Sequence, residues 1–90
     1  MKIISKKDVY KILLLPPAQK DLDEFRGKTF DILVKKIISL KENPRPHGCL
    51  KLTAEEGYRI RSGDYRIIYR IDDTNKEVFV YRIKHRKEAY

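Results

Sequence analysis

The 90 residues include one cysteine and two widely separated histidines. A single thiol excludes a disulfide framework and suits a reducing compartment, and so few donors leave no metal-ligand spacing. No apolar run is long enough to cross a membrane. The longest, Ile12-Leu13-Leu14-Leu15, stops at Pro16-Pro17, far short of the roughly 20 residues a span requires. Lys2, Lys6, Lys7 and Asp8 break up the N-terminal residues, so a secretory h-region is also missing. The expectation is a cytoplasmic protein without a membrane partner. Familiar catalytic signatures are absent too: there is no GxSxG elbow, Gly-rich phosphate loop, Cys–His pair or set of paired carboxylates. Nothing in the chain calls for a metal, an organic cofactor or a small-molecule substrate.

What is present is charge and apolar periodicity. The length bounds the chain to one domain, residues 1–90. Hydrophobic residues make up 41% and charged ones 38%, which is too apolar for a disordered chain. The formal net charge is +8, and such an excess attracts polyanions, nucleic acid above all, or an acidic protein. Its kind changes along the chain. Residues 1–45 hold nine Lys and two Arg, residues 46–90 four Lys and six Arg. Arginine offers a planar fork of donors suited to phosphate or carboxylate.

A strand is expected from Val9 to Leu15, ended by two prolines that suit the first turn of a helix. In that helix Ala18, Leu22 and Phe25 form one apolar stripe, with Gly27 at its C-terminus. A second helix is expected from Lys28 to Glu42, with Phe30, Leu33, Val34, Ile37, Ile38 and Leu40 at helical spacing. Beyond Asn43-Pro44-Arg45-Pro46 the period falls from 3.6 to 2. Strands are expected at Cys49–Leu52, Tyr58–Arg61, Tyr65–Ile71 and Val78–His85. The order β-α-α-β-β-β-β predicts an α+β fold, a helical hairpin packed on one face of a small, mostly antiparallel sheet.

Strand alternation then sorts the side chains. Tyr58, Ile60, Tyr65, Ile67, Tyr69, Phe79, Tyr81 and Ile83 are expected to face the helices. Arg59, Arg61, Arg66, Arg70, Arg82, Lys84 and Arg86 are expected to share the opposite face. Like charges across strands repel, so seven cations with no acid among them point to a bound polyanion. RNA can be cut there without a metal, because the ribose 2′-OH is the nucleophile. Arginines stabilise the charge that develops on the phosphate. Arginine stays protonated, whereas a tyrosine beside cations is a better proton donor or acceptor.

The run Tyr58-Arg59-Ile60-Arg61-Ser62-Gly63-Asp64-Tyr65-Arg66-Ile67-Ile68-Tyr69, followed by Lys84-His85-Arg86-Lys87-Glu88-Ala89-Tyr90, resembles the RelE/ParE toxin superfamily. It is most similar to the RelE-type mRNA interferases of toxin–antitoxin pairs, over nearly the whole chain. The resemblance implies a ribosome-dependent endoribonuclease that cuts mRNA in the A site and is neutralised by a cognate antitoxin. It makes Arg66 the phosphate-stabilising arginine. Arg86 becomes the second, acting on the transition state or leaving group, and Tyr90 the terminal tyrosine that orients the 2′-OH or stacks on the scissile base. Arg59 falls where some relatives have a basic residue implicated in proton transfer, and Arg61 is the next cation. Arg70, Arg82 and Lys84 are left as RNA contacts. An arginine at 59, where relatives place lysine, departs from the pattern, as does the absence of a trailing helix.

Plainer roles account for other residues. His85 falls on the apolar face as a core or hinge residue, His47 in a loop, and Cys49 as a small apolar side chain. Tyr58, Tyr65, Tyr69 and Tyr81 are expected in the core. Two rival functions remain: a ParE-like DNA gyrase inhibitor that cuts nothing, and a non-toxic relative that only binds its partner or RNA.

Overall fold

Adjacent prolines decide where the first strand stops. In the computed structural model, which describes residues 9–53 and 56–87, β1 spans Lys11–Leu14 and α1 spans Pro16–Asp23. Pro16 and Pro17 take the first helical positions, where a missing N–H costs no helical hydrogen bond. Ala18 and Leu22, one turn apart, are buried. Arg26 closes the helical connection by donating from Nη1 to the carbonyls of Asp23 and Phe25, at 2.6 and 2.9 Å. Gly27, expected to end the first helix, instead opens the second with a φ of 60°. The first helix ends at Asp23, and Phe25, the next member of its apolar stripe, packs against the core from the turn that follows.

The second helix, α2, spans Gly27–Ser39 and ends before the expected Glu42. Leu33, Ile37 and Leu40 form the stripe that enters the core, while Phe30 and Ile38 stay exposed. Four strands follow: β2 (Leu50–Lys51), β3 (Tyr58–Ser62), β4 (Tyr65–Asp72) and β5 (Glu77–His85). They form one sheet in the order β1-β5-β4-β3-β2. Every neighbouring pair is antiparallel except β1 and β5, which run parallel. This is the expected α+β architecture, two helices on a five-stranded mixed sheet. Gly57 sets the entry to β3: its φ is 128°, and a Cβ there would lie 2.9 Å from the Tyr69 carbonyl oxygen. Only glycine fits that approach.

One register shift reorders the sheet faces. Ile68 pairs with Arg82 but Tyr69 pairs with Val80, so Tyr81 is an extra residue in β5. A bulge of this kind reverses side-chain alternation on the bulged strand. Val78 and Val80 therefore face the core, fully buried, together with Ile83. Phe79 and Tyr81, expected to face the helices, lie on the other side of the sheet, where Arg70 contacts both rings. Every position from Val78 to Tyr81 is apolar, so the sequence pattern alone carries no information about which residues turn inward.

Two polar devices hold the elements together. At one end, Arg45 in the segment after α2 grips Asp73 in the β4–β5 turn with two hydrogen bonds, 3.2 and 2.8 Å long. Its Nε also donates to the Tyr58 hydroxyl at 3.0 Å, and the Tyr10 hydroxyl donates to Asp73 at 2.7 Å. Nearby, the buried Tyr69 hydroxyl donates to the Pro44 carbonyl at 2.7 Å, and burial pushes its pKa up. At the other end α1 takes over from β1 along the outer edge of β5. Leu15 N–H donates to the Val80 carbonyl, and Ile83 N–H donates to the Asp21 carboxylate at 2.9 Å. Arg82 Nε donates to the same oxygen at 2.7 Å.

These contacts generate two expectations. The Arg45 guanidinium, with help from the Tyr10 hydroxyl, holds the Asp73 carboxyl down at about 2. Its stabilisation is therefore complete above the unfolded value near 4 and is lost as pH falls through 2. Asp73→Asn should lower Tm at pH 6, and the gap to wild type should close towards pH 2 in circular-dichroism melts. A gap independent of pH would remove Asp73 from that role. For Asp21, burial works to raise the carboxyl pKa, but hydrogen bonds from Arg82 and Ile83 N–H outweigh it and the value falls. Asp21→Ala strands the Ile83 backbone donor and takes a carboxylate from Arg82, so it should cost about 1–3 kcal/mol in urea unfolding. Arg82→Ala, which removes only one half-exposed partner, should cost less than about 1 kcal/mol. The reverse ranking would mean that the ion pair, not the edge contact, matters.

Candidate nucleic-acid interface

Strand register converts the arginine pattern into rows across the sheet. Arg61 of β3 is directly opposite Arg66 of β4, and Arg66 is opposite Lys84 of β5. All three alternate away from buried Ile60, Ile67 and Ile83, so they share the face turned from the helices. The next row runs Leu50, Arg59, Ile68, Arg82. Beyond the bulge, Arg70 is opposite Phe79, and Phe79 lies beside Leu13 of β1. Arg86 follows the end of β5. Its N–H donates to the Asp64 carbonyl at 2.7 Å, which places it at the β3–β4 turn beside the cation row.

Opposed Cβ atoms in such pairs stand about 4.5–5.5 Å apart, and like charges there destabilise the sheet. Two unit charges about 6 Å apart near a protein surface repel by about 3 kcal/mol before salt screening. Local carbonyls orient part of the row. Arg61 Nε donates to the Gly63 carbonyl at 3.2 Å, and Arg66 Nη1 to that of Tyr65 at 3.4 Å. Arg59, Arg66 and Lys84 are half-buried, while Arg61 and Arg86 are exposed. Held stems with cationic ends suit the recognition of phosphate oxygens.

Five of the expected cations, Arg59, Arg61, Arg66, Lys84 and Arg86, thus gather on or beside one end of the open face. The expectation that no acid is interleaved needs correcting at two positions. Arg82 lies in register with the open face, but its guanidinium turns to the sheet edge and pairs with Asp21. Arg70 is 3.8 Å from Glu56, whose side chain is 82% exposed. Both acids are distant in sequence from their partners, so strand alternation could not reveal them. Tyr90 lies outside the described residues. His85 does turn towards the helices, edge-on to Tyr65, which in turn meets Phe25. Among the described residues, no group of three or more His, Cys, Asp or Glu is placed to hold a metal ion. No helix among them is long and apolar enough to cross a membrane.

The aromatic pair Phe79 and Tyr81 was not legible as part of this face, because the bulge that turns it outward leaves no mark on the hydrophobic pattern. The all-apolar tetrad runs directly into Arg82-Ile83-Lys84, and the alternation there extends back through Tyr81 and Phe79 in a single phase, so the residues carry no signal of the bulge.

Comparison with known proteins agrees with this architecture. Residues 12–90 match the family described as the ParE toxin of type II toxin–antitoxin system, parDE. Among solved structures, the toxin–antitoxin complex RelBE2 from Mycobacterium tuberculosis is 26% identical, with 86% of this chain and 98% of that one covered and a TM-score of 0.76. The archaeal RelE–RelB complex from Pyrococcus horikoshii is 24% identical, with 87% and 96% covered and a TM-score of 0.74. The isolated Escherichia coli RelE toxin is also 24% identical, with 89% and 94% covered and a TM-score of 0.73. No curated protein matches significantly. The family match begins at the second residue of β1 and runs through the last residue of the sequence, so the chain belongs to the ParE toxin family of type II toxin–antitoxin systems, within the RelE/ParE superfamily.

Proposed function

We propose that this toxin is an endoribonuclease that cleaves mRNA in the ribosomal A site and so blocks translation. The observation that carries the reading is the Arg61–Arg66–Lys84 row, three cations opposed across adjacent strands beside Arg86. In the proposed step the ribose 2′-oxygen attacks the adjacent phosphorus. The O2′–P bond forms, the P–O5′ bond breaks, and the products are a 2′,3′-cyclic phosphate and a 5′-OH. The 2′-OH gives up its proton, and the departing 5′-oxygen receives one. Arg66 meets the extra negative charge on the phosphate, with Arg61 and Lys84 beside it. Arg86 acts at the transition state or leaving group, Arg59 flanks the row, and Tyr90 orients the 2′-OH. Fixed cations strengthen their contacts as charge develops, which lowers the barrier and not merely the ground state. Metal-independent cleavage requires no further ligand set.

The partner in this reading is a cognate antitoxin, a small acidic or mixed chain that covers the basic face. The RelE-like neighbours in RelB-bound complexes support it. A second reading, a gyrase inhibitor that cuts nothing, draws its support from the ParE description of the matching family. The opposed arginines favour the nuclease.

Primer extension on a reporter mRNA separates the two. Wild type should cut within the reading frame only when ribosomes are present. Arg66→Ala should reduce cutting by about 100-fold or more. Growth arrest without cleavage, accompanied by loss of DNA supercoiling, would overturn the nuclease reading in favour of gyrase. Cutting of naked RNA would keep the nuclease and remove the ribosome.

A further inference from the structure

The β5 bulge builds a feature that the cleavage scheme does not use. The Arg70 guanidinium carbon lies 5.5 Å from the Phe79 ring centroid and 5.5 Å from that of Tyr81. Without the extra residue, Val78 and Val80 could not stay in the core while β5 brings Ile83 back to it. Those three side chains are the share of β5 in the buried core, so Phe79 and Tyr81 are aromatic on the open face for a reason other than core packing. Both rings are half-buried, and the Arg70 side chain is 44% exposed. Leu13 and Ile68 flank them in the adjoining register positions. The result is an apolar, aromatic floor with a guanidinium fixed over two rings. It lies on the same face as the cation row, with the Arg59–Ile68–Arg82 row between them.

We infer that Arg70, Phe79 and Tyr81 form a stacking platform for an unpaired nucleobase of the RNA strand, an assignment that rests on the nuclease reading above. Single-stranded nucleic acid is held by cations that track the backbone and aromatics that take the bases. Arginine planes stack on bases as aromatic rings do. From Arg66 to Arg70 is four residues of β4, about 13 Å. The base on the platform therefore belongs to a neighbouring nucleotide, not to the one whose phosphate meets Arg66. This makes the platform a subsite that positions the strand. The Glu56 contact is long and its carboxylate exposed, so an RNA phosphate can replace it at little cost. Phe79→Leu with Tyr81→Leu keeps apolar cover over the strand and removes the stacking faces.

The test uses the full chain and a short single-stranded RNA, with 2-aminopurine or an abasic site scanned along it. With wild type, 2-aminopurine fluorescence should be quenched on binding at one position, and an abasic site there should weaken binding about tenfold. In the double leucine variant that abasic site should cost nothing further. Arg70→Gln should reduce the slope of log affinity against log salt by about 0.7, and the leucine changes should leave the slope unchanged. The absence of any position-specific quench in wild type, or an abasic cost equal in wild type and variant, overturns the platform. The quench is read on wild type alone, so it decides the matter even if the double mutant misfolds. If the leucine variant binds RNA as wild type does but loses its antitoxin, the surface is a protein contact and the assignment is overturned. Failure of wild type to bind or cut any RNA would instead remove the nuclease reading, and the platform with it. Normal cleavage that still depends on Arg66, with no platform effect, would remove the platform alone.

Discussion

β5 is the strand on which the rest of the molecule depends. It pairs with β4 along its length, carries β1 in parallel on its other edge, and beyond Leu14 is closed by Asp21 of α1. An outer strand edge with open backbone groups invites pairing with another chain. Here a helix carboxylate satisfies one of those groups and draws Arg82 out of the open face in doing so. The same strand carries one residue more than its partner needs. That bulge lets a single stretch of chain contribute Val78 and Val80 to the core, Phe79 and Tyr81 to the open face, and Lys84 to the cation row.

Charge is distributed by a similar logic. At the Arg45–Asp73 end, acid and base are matched, hydrogen-bonded and braced by Tyr10 and Tyr58. That end ties the segment after α2, the approach to β1 and the β4–β5 turn into one unit. The Arg61–Arg66–Lys84 row at the opposite end of β4 is built against stability, with like charges opposed. The sheet thus pairs acid with base at one end and sets like charges in register at the other. The repulsion in the second is offset by the buried apolar layer beneath it, Ile60, Ile67 and Ile83.

Much of this was legible from the residues. The two helices and the four strands after them follow from apolar spacing and from prolines and glycines, with ends displaced by a few residues. The α+β class and the grouping of Arg59, Arg61 and Arg66 follow from the alternation of apolar and charged residues in β3 and β4, which Ile68 interrupts without changing its phase. The short motif that resembles the RelE/ParE superfamily lies in those same strands. Alternation had no purchase on Val78–Tyr81, since every residue there is apolar and either phase reads equally well. Gly27 reads as the end of the first helix for a comparable reason: a positive φ suits either the end of one helix or the start of the next.

Neighbours along the chain were enough to set which segments are helical or extended, which face of β3 and β4 is cationic, and the likeness to a toxin family. The rest was settled by the packing of distant segments. It brought β1 beside β5, gave Arg82 to Asp21 across 61 residues and Arg45 to Asp73 across 28, and set one residue of β5 apart as a bulge. Those choices depend on which strands meet and in what register. Register is set by the fit of whole faces against the core, and local pattern does not contain it.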